Sequence, residues 1–177
     1  DNFMTQKVSC SLMLHGGAGT LDSVNDDAVA ARYRECIRRT LEHGRELMAL
    51  GGSALQAVEA CASLLEDDPV FNAGRGSVLT EDGRVEMDAA IMDGRELTAG
   101  AVAGVGNIAN PVQLARLVMT ESAHVMLIAE GAMRFADQCG MMRVPDSYFF
   151  IRDRVEQLEQ ARLENKTMLD HDDIRDD

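Results

Sequence analysis

Positive charge is scarce in this chain. Lysine and arginine number 17 against 30 aspartates and glutamates in 177 residues, which leaves a formal charge of −13 and a pI near 4.6. A field of that sign repels phosphate backbones and anionic headgroups, and so argues against nonspecific binding to nucleic acid or a membrane surface. Closely spaced cysteines are absent too. Cys10, Cys36, Cys61 and Cys139 stand far apart, with no CxxC and no cysteine–histidine cluster. Structural zinc is therefore not expected, and the four thiols read as reduced core residues. No apolar run approaches the roughly 20 residues of a membrane span. Asp1 to Lys7 lacks the charged-then-apolar order of a signal peptide, so a cytoplasmic location is the expectation. Neither an internal repeat nor a low-complexity linker divides the chain. One unit over 1–177 is expected, with 166–177 as an acidic, flexible tail.

Against these absences stands a hydrophobic content of 46%, enough for a core. Val8 to Leu14 alternates like a first strand and runs into His15-Gly16-Gly17-Ala18-Gly19. From Asp27, Val29, Tyr33, Cys36, Ile37, Leu41, Gly44, Leu47 and Met48 recur at helical spacing, and Gly51-Gly52 ends that helix. Ser53 is placed to cap a second helix with a buried stripe of Leu55, Val58, Ala62 and Leu65, which Pro69 stops. Val78 to Thr80, an 81–83 turn, Val85 to Met92, an Asp93-Gly94 turn and Ala99 to Val105 read as three consecutive strands. Asn110-Pro111 starts a further helix, 124–128 is a short apolar run, and helices are expected over 130–139 and 146–165. Consecutive strands on short turns pair antiparallel, so the expectation is an α+β fold in which antiparallel sheet is covered by helices. Three or four strands leave an edge or face to cover, which implies a partner chain.

Leu64 to Gly94 is the most informative stretch. Glu66, Asp67 and Asp68 close an apolar helix, where negative charge opposes the helix dipole, so something cationic should sit nearby. The loop Asn72-Ala73-Gly74-Arg75-Gly76 follows, built from small residues. Orphan carbonyls at the helix end could cage a hard cation, or the end could simply be solvated. His15 to Gly19 lacks the third glycine of a dinucleotide fingerprint. As an oxyanion loop it would need a GxSxG elbow, which Gly51-Gly52-Ser53-Ala54-Leu55 fails to supply, and a sharp turn explains it equally well. His15, His43, His124 and His171 show no metal-ligand spacing. Asp93 reads as a turn former, and Asp88 stays ambiguous between structural and acid–base roles.

HGGAG at 15–19, the block 51–94, AGAVAGV at 99–105 and NPVQLARLVM at 110–119, in that order, closely resemble the plant-type L-asparaginases, also called isoaspartyl or β-aspartyl peptidases. The resemblance covers about Val8 to Leu169. It implies an N-terminal nucleophile hydrolase with a four-layer αββα sandwich, made as a precursor that cleaves itself before a threonine. This chain would be the α subunit, half of that sandwich, and the nucleophilic threonine would begin a β subunit; two αβ pairs would assemble. The Thr-Val-Gly start of that subunit does not occur here. The resemblance further implies a structural sodium ion held mainly by main-chain oxygens of Leu65, Glu66, Asp68, Phe71, Ala73 and Arg75, and no organic cofactor. It makes Asn72 a support for the threonine, with Gly16 and Gly17 near the nucleophile. The implied substrates are L-asparagine and β-aspartyl dipeptides. A glycosylasparaginase-type amidase and a noncatalytic, cation-stabilised interaction subunit are the alternatives.

Overall fold

A computed structural model of the chain describes residues 10–17 and 27–164. Val8 and Ser9 of the expected first strand, Ala18 and Gly19 of the glycine loop, Asn165, His171 and the 166–177 tail lie outside the described residues.

Two helices come first. α1 (Asp27–Ala49) ends in a Schellman arrangement: Gly52 N–H donates to the Leu47 carbonyl and Gly51 N–H to that of Met48, both at 3.0 Å, with Gly51 at φ +92°. Ser53 then opens α2 (Ala54–Asp67) with a capping box. Gln56 N–H donates to Ser53 Oγ at 3.1 Å, and Ser53 N–H to Gln56 Oε1 at 2.8 Å. The helices meet at Gly44, where an added Cβ would lie 2.6 Å from Cys61 Sγ and 2.5 Å from Leu12 Cδ2. The α2 face that goes inward is Ala57, Cys61 and Glu66; Val58, expected inside, is 42% exposed. Cys36 and Cys61 are buried as expected, Cys139 is half-buried, and Cys10 is exposed; all four are free thiols.

The sheet follows. β1 (Met87–Asp93) and β2 (Thr98–Val105) pair antiparallel as expected, with a bulge between Met87 and Ala89. α3 (Pro111–Glu121) then carries the chain back, so that β3 (Met126–Ile128) joins β2 in parallel. The sheet, of order β1-β2-β3, is thus mixed rather than antiparallel, because a helical crossover carries the chain back to the end of the sheet where β2 began. α4 (Ala129–Gln138) and α5 (Arg152–Glu164) complete the described elements, and a 3-10 turn at Asp146–Tyr148 splits what was expected as one last helix. Phe149, 1% exposed, anchors the join.

One sheet face is filled. Ile91, Val102 and Val105 pack with Ile108, Leu114, Ala115 and Val118, and α4 adds Ala132, Met133 and Ala136. α3 lies so close to β2 that a Cβ on Gly100 would sit 2.1 Å from the Ala115 carbonyl. The other face is open among the described residues. Ala90, Ala101 and Met126 stand in register across it, as do Ala103 and Ile128, and Met92, Met126 and Ile128 are 57%, 51% and 61% exposed.

Two expected strands do not form among the described residues. Thr80 closes the 81–83 turn by itself, its N–H donating to the Arg84 carbonyl and its carbonyl accepting from Gly83 N–H, both at 2.8 Å. Val78 and Leu79 therefore enter no ladder, and β1 starts at Met87 rather than Val85. Cys10 to Leu14 likewise has no ladder partner among the described residues, though half-buried Leu12 and Leu14 flank Met13, which is 90% exposed.

Candidate functional site

The site region is the segment that leaves α2 and returns to α5. Its acidic residues are disposed of one by one. Asp68 Oδ2 accepts from Arg39 Nη2 at 3.2 Å, which supplies the cation expected near the helix end, and Asp68 Oδ1 accepts from Val70 N–H at 3.2 Å. Asp67 Oδ1 accepts from Asn110 Nδ2 at 2.9 Å. Asn110 also donates to the Ser63 carbonyl at 3.2 Å, so its side chain faces α2 and does not cap α3. Glu66 takes that place: its Oε1 accepts from Val112 N–H at 3.0 Å, putting a carboxylate at the positive end of α3.

Glu66 is buried, and its Oε2 has no hydrogen-bond partner among the described residues. Burial pushes its pKa up to about 7, against the opposing pull of Val112 N–H and the Asn110 side chain and with a further push from Asp67. A positive charge in this region would relieve the desolvation.

The loop is folded tightly on itself. Gly74, at φ +51°, lies where a Cβ would be 2.3 Å from the Glu66 carbonyl oxygen; one on Gly76 would lie 2.1 Å from that of Phe71 and 2.7 Å from that of Pro69. The carbonyls of Leu65, Asp68 and Ala73 each accept one backbone hydrogen bond, from Asp68, Phe71 and Gly76 respectively. A second lone pair remains on each.

Phe71 joins the two motifs marked in the sequence. It is buried, meets Tyr33 edge-on at 5.5 Å, and lies under Gly16, whose added Cβ would be 3.0 Å from Phe71 Cε1. Gly17, at φ +121°, donates its N–H to His15 Nδ1 at 3.3 Å. Next to Phe71 the exposed Asn72 accepts from Val78 N–H through Oδ1 at 2.9 Å, which leaves the carboxamide nitrogen as its donating end. Gly16, Phe71 and Asn72 thus share one neighbourhood. The Arg75 guanidinium lies 5.6 Å from the centre of the Tyr148 ring.

The remaining candidates fall elsewhere. Asp88 Oδ1 accepts from Gly104 N–H at 2.8 Å, and Asp93 Oδ1 from Arg95 N–H at 2.9 Å, so Asp93 is the turn former expected. His43 and His124 are exposed. A cleft of about 280 Å³ beside Arg84, Glu86, Asn107 and Asp146 is lined by none of the site residues expected from the sequence. Missed in the sequence was Arg154, a buried residue of α5 whose Nε donates to the Gly76 carbonyl at 2.8 Å. Its signal was the spacing of Ile151, Arg154, Leu158 and Ala161 on one helix face, masked by the charge around it.

The family profile described as Asparaginase matches residues 8–176. The chain belongs to the asparaginase family. Among its curated relatives, the isoaspartyl peptidase of Escherichia coli is 47% identical over 161 residues, 90% of this chain and 50% of that protein. The isoaspartyl peptidase/L-asparaginase of Mus musculus is 45% identical over 89% of this chain and 47% of that protein. A plant-type L-asparaginase of Pyrococcus furiosus is 44% identical over 93% of this chain and 51% of that protein. The chain spans about half the length of these relatives. Among its described residues no helix is long and apolar enough to cross a membrane.

Proposed function

We propose that this chain is the α subunit of a hydrolase that cleaves L-asparagine to aspartate and ammonia and opens β-aspartyl dipeptides, using a threonine at the amino terminus of a β subunit from the same precursor. The observation that carries this reading is the similarity to relatives named isoaspartyl peptidase and L-asparaginase across about nine-tenths of the chain. The open sheet face supports it, since a second sheet laid on Ala90, Ala101, Met126 and Ile128 would complete a sandwich. Two such αβ pairs would form the assembled enzyme.

In this reading the threonine hydroxyl attacks the side-chain amide carbon of the substrate, and the residue's own α-amine, with an ordinary pKa of roughly 7.7 to 8, takes the proton. The α-ammonium returns that proton to the substrate nitrogen as the carbon–nitrogen bond breaks, ammonia or an amino acid leaves, and water hydrolyses the aspartyl ester. This chain contributes the Asn72 carboxamide nitrogen, the donor left once Oδ1 accepts from Val78 N–H, and the HGG backbone of Gly16 and Gly17, whose Gly16 rests on Phe71. Neutral donors of this kind stabilise developing negative charge without losing a proton.

The residues also fit a sodium ion. Main-chain oxygens of Leu65, Glu66, Asp68, Phe71, Ala73 and Arg75 would hold it, since no group of three His, Cys, Asp or Glu side chains among the described residues could hold a metal. Its charge would offset the helix end and the buried Glu66 carboxyl. Exchanging sodium for a larger alkali cation should lower thermal stability and increase hydrogen exchange over 65–75; no change in either removes the ion from the account.

The function is tested with the co-produced halves. Ammonia release from asparagine and cleavage of β-aspartyl-leucine are the expected activities. Turnover of a glycosylasparagine alone would make the enzyme a glycosylasparaginase, and no turnover of any of the three would leave an interaction subunit.

A further inference from the structure

We infer that Arg154 is a positioning residue: it sets the Asn72 carboxamide through the Gly76–Val78 turn, and so ties helix α5 to the chemistry proposed above, on which its catalytic consequence rests. α5 is polar on nearly all sides, yet Arg154 and Gln157 are 9% and 8% exposed. Arg154 Nε donates to the Gly76 carbonyl at 2.8 Å, and its Nη1 donates to Gln157 Oε1 at 3.1 Å. Gly76 is gripped from the other side as well, its N–H donating to the Ala73 carbonyl at 3.0 Å and its Cα pressed against the Phe71 and Pro69 carbonyls. Two residues on, Val78 N–H donates to Asn72 Oδ1. That bond decides which end of the carboxamide faces outward.

Docking a helix does not require this arginine. Burying a guanidinium is costlier than burying an apolar side chain of similar size, so an apolar residue would serve adhesion better. What an apolar residue cannot do is hold a backbone carbonyl and a side-chain amide at once with a rigid fork. The fork fixes where Gly76 stands, and thereby where the Val78 amide points. Arg162, eight residues along α5, donates instead to the Glu81 carbonyl in the next turn of chain, and so anchors the same helix without touching the Asn72 support.

The test is a double-mutant cycle in the assembled αβ enzyme. Arg154→Met should lower kcat about 10- to 100-fold while KM for asparagine stays within about twofold, because a misplaced donor affects the reacting centre. Arg154→Lys, which keeps the charge and loses the fork, should fall between. In an Asn72→Ala background the same Arg154→Met change should have no further effect on kcat. Arg162→Ala should lower the melting temperature and leave kcat unchanged. Should Arg154→Met fail to assemble, Gln157→Leu, which removes the acceptor orienting Nη1, supplies the cycle with a smaller drop. Wild-type kcat in the Arg154 or Gln157 variants, or effects that add to that of Asn72→Ala, would overturn the inference. A wild-type αβ enzyme that turns over neither asparagine nor β-aspartyl dipeptides would instead overturn the function on which it rests.

Discussion

The Leu65–Val78 segment and the outer face of the sheet lie in one small molecule and follow opposite rules. In the segment, polar groups are tied within the chain: Asp68 to Arg39, Asp67 to Asn110, Glu66 to Val112, Asn72 to Val78 and Gly76 to Arg154. Its glycines leave no room for a Cβ. On the sheet face, Met92, Met126 and Ile128 stand exposed around small alanines, and nothing among the described residues covers them. The contrast separates a segment held from within the chain, apart from the orphaned Glu66 Oε2, from an apolar face that the proposed β subunit would cover. Exposed apolar sheet of this kind marks an interaction surface.

The largest expected effect comes from breaking the sheet side of the comparison. Ala101→Glu puts a carboxylate in the middle of the open face, and an unpaired charge buried there costs about 3–5 kcal/mol. Assembly with the β subunit, followed by native mass spectrometry, should fail, and activity with it; normal assembly would mean that this face is not the interface. Next is Asn72→Ala, expected to lower kcat about 100-fold with the melting temperature nearly unchanged, as for loss of a single oxyanion donor. Full activity in that variant would return the loop to a structural role.

Gly74→Ala sharpens the loop side. With φ at +51° and the Glu66 carbonyl 2.3 Å from the new methyl, it should destabilise the protein by about 1–3 kcal/mol in denaturant unfolding. Met126→Ala on the open face should leave the separate chain nearly untouched and weaken the assembled one. The smallest effect concerns Asp137, whose carboxyl Arg143 holds below the usual range by a hydrogen bond at 2.7–2.8 Å. A lowered folded pKa means stability present above the unfolded carboxylate value and lost as pH falls through the folded one. Arg143→Ala should therefore be slightly less stable than the parent at neutral pH, the difference closing in acid. A difference that persists at low pH would assign Arg143 a packing role.

Much of this was legible in the sequence, and the failures have physical causes. Gly51-Gly52 and Ser53 announced a helix end and a helix start because each needs a particular residue type, a glycine at positive φ and a side-chain acceptor. The Leu65–Arg75 loop was located, and Phe71 proves to be the residue joining it to Gly16. The parallel pairing of β3 was not legible, since three residues carry no periodicity. Val78–Thr80 has the composition of a strand, but Asn72 and the Thr80 turn claim its amides first. Asn110 looked like a cap, yet a carboxylate 44 positions earlier in the chain occupies the site. Arg154 was hidden because the charges around it in α5 mask the spacing it shares with Ile151, Leu158 and Ala161. At the start of α3 a side chain from a distant segment overrides a local preference, whereas at 78–80 nearby turn contacts do so.

The most direct test of the central claim is the intact mass of the mature product made from the full precursor. The account predicts two polypeptides that purify together with asparagine-hydrolysing activity, this chain and a second one whose first residue is threonine. An active product that remains a single uncleaved chain, or whose second chain begins with another residue, would contradict it.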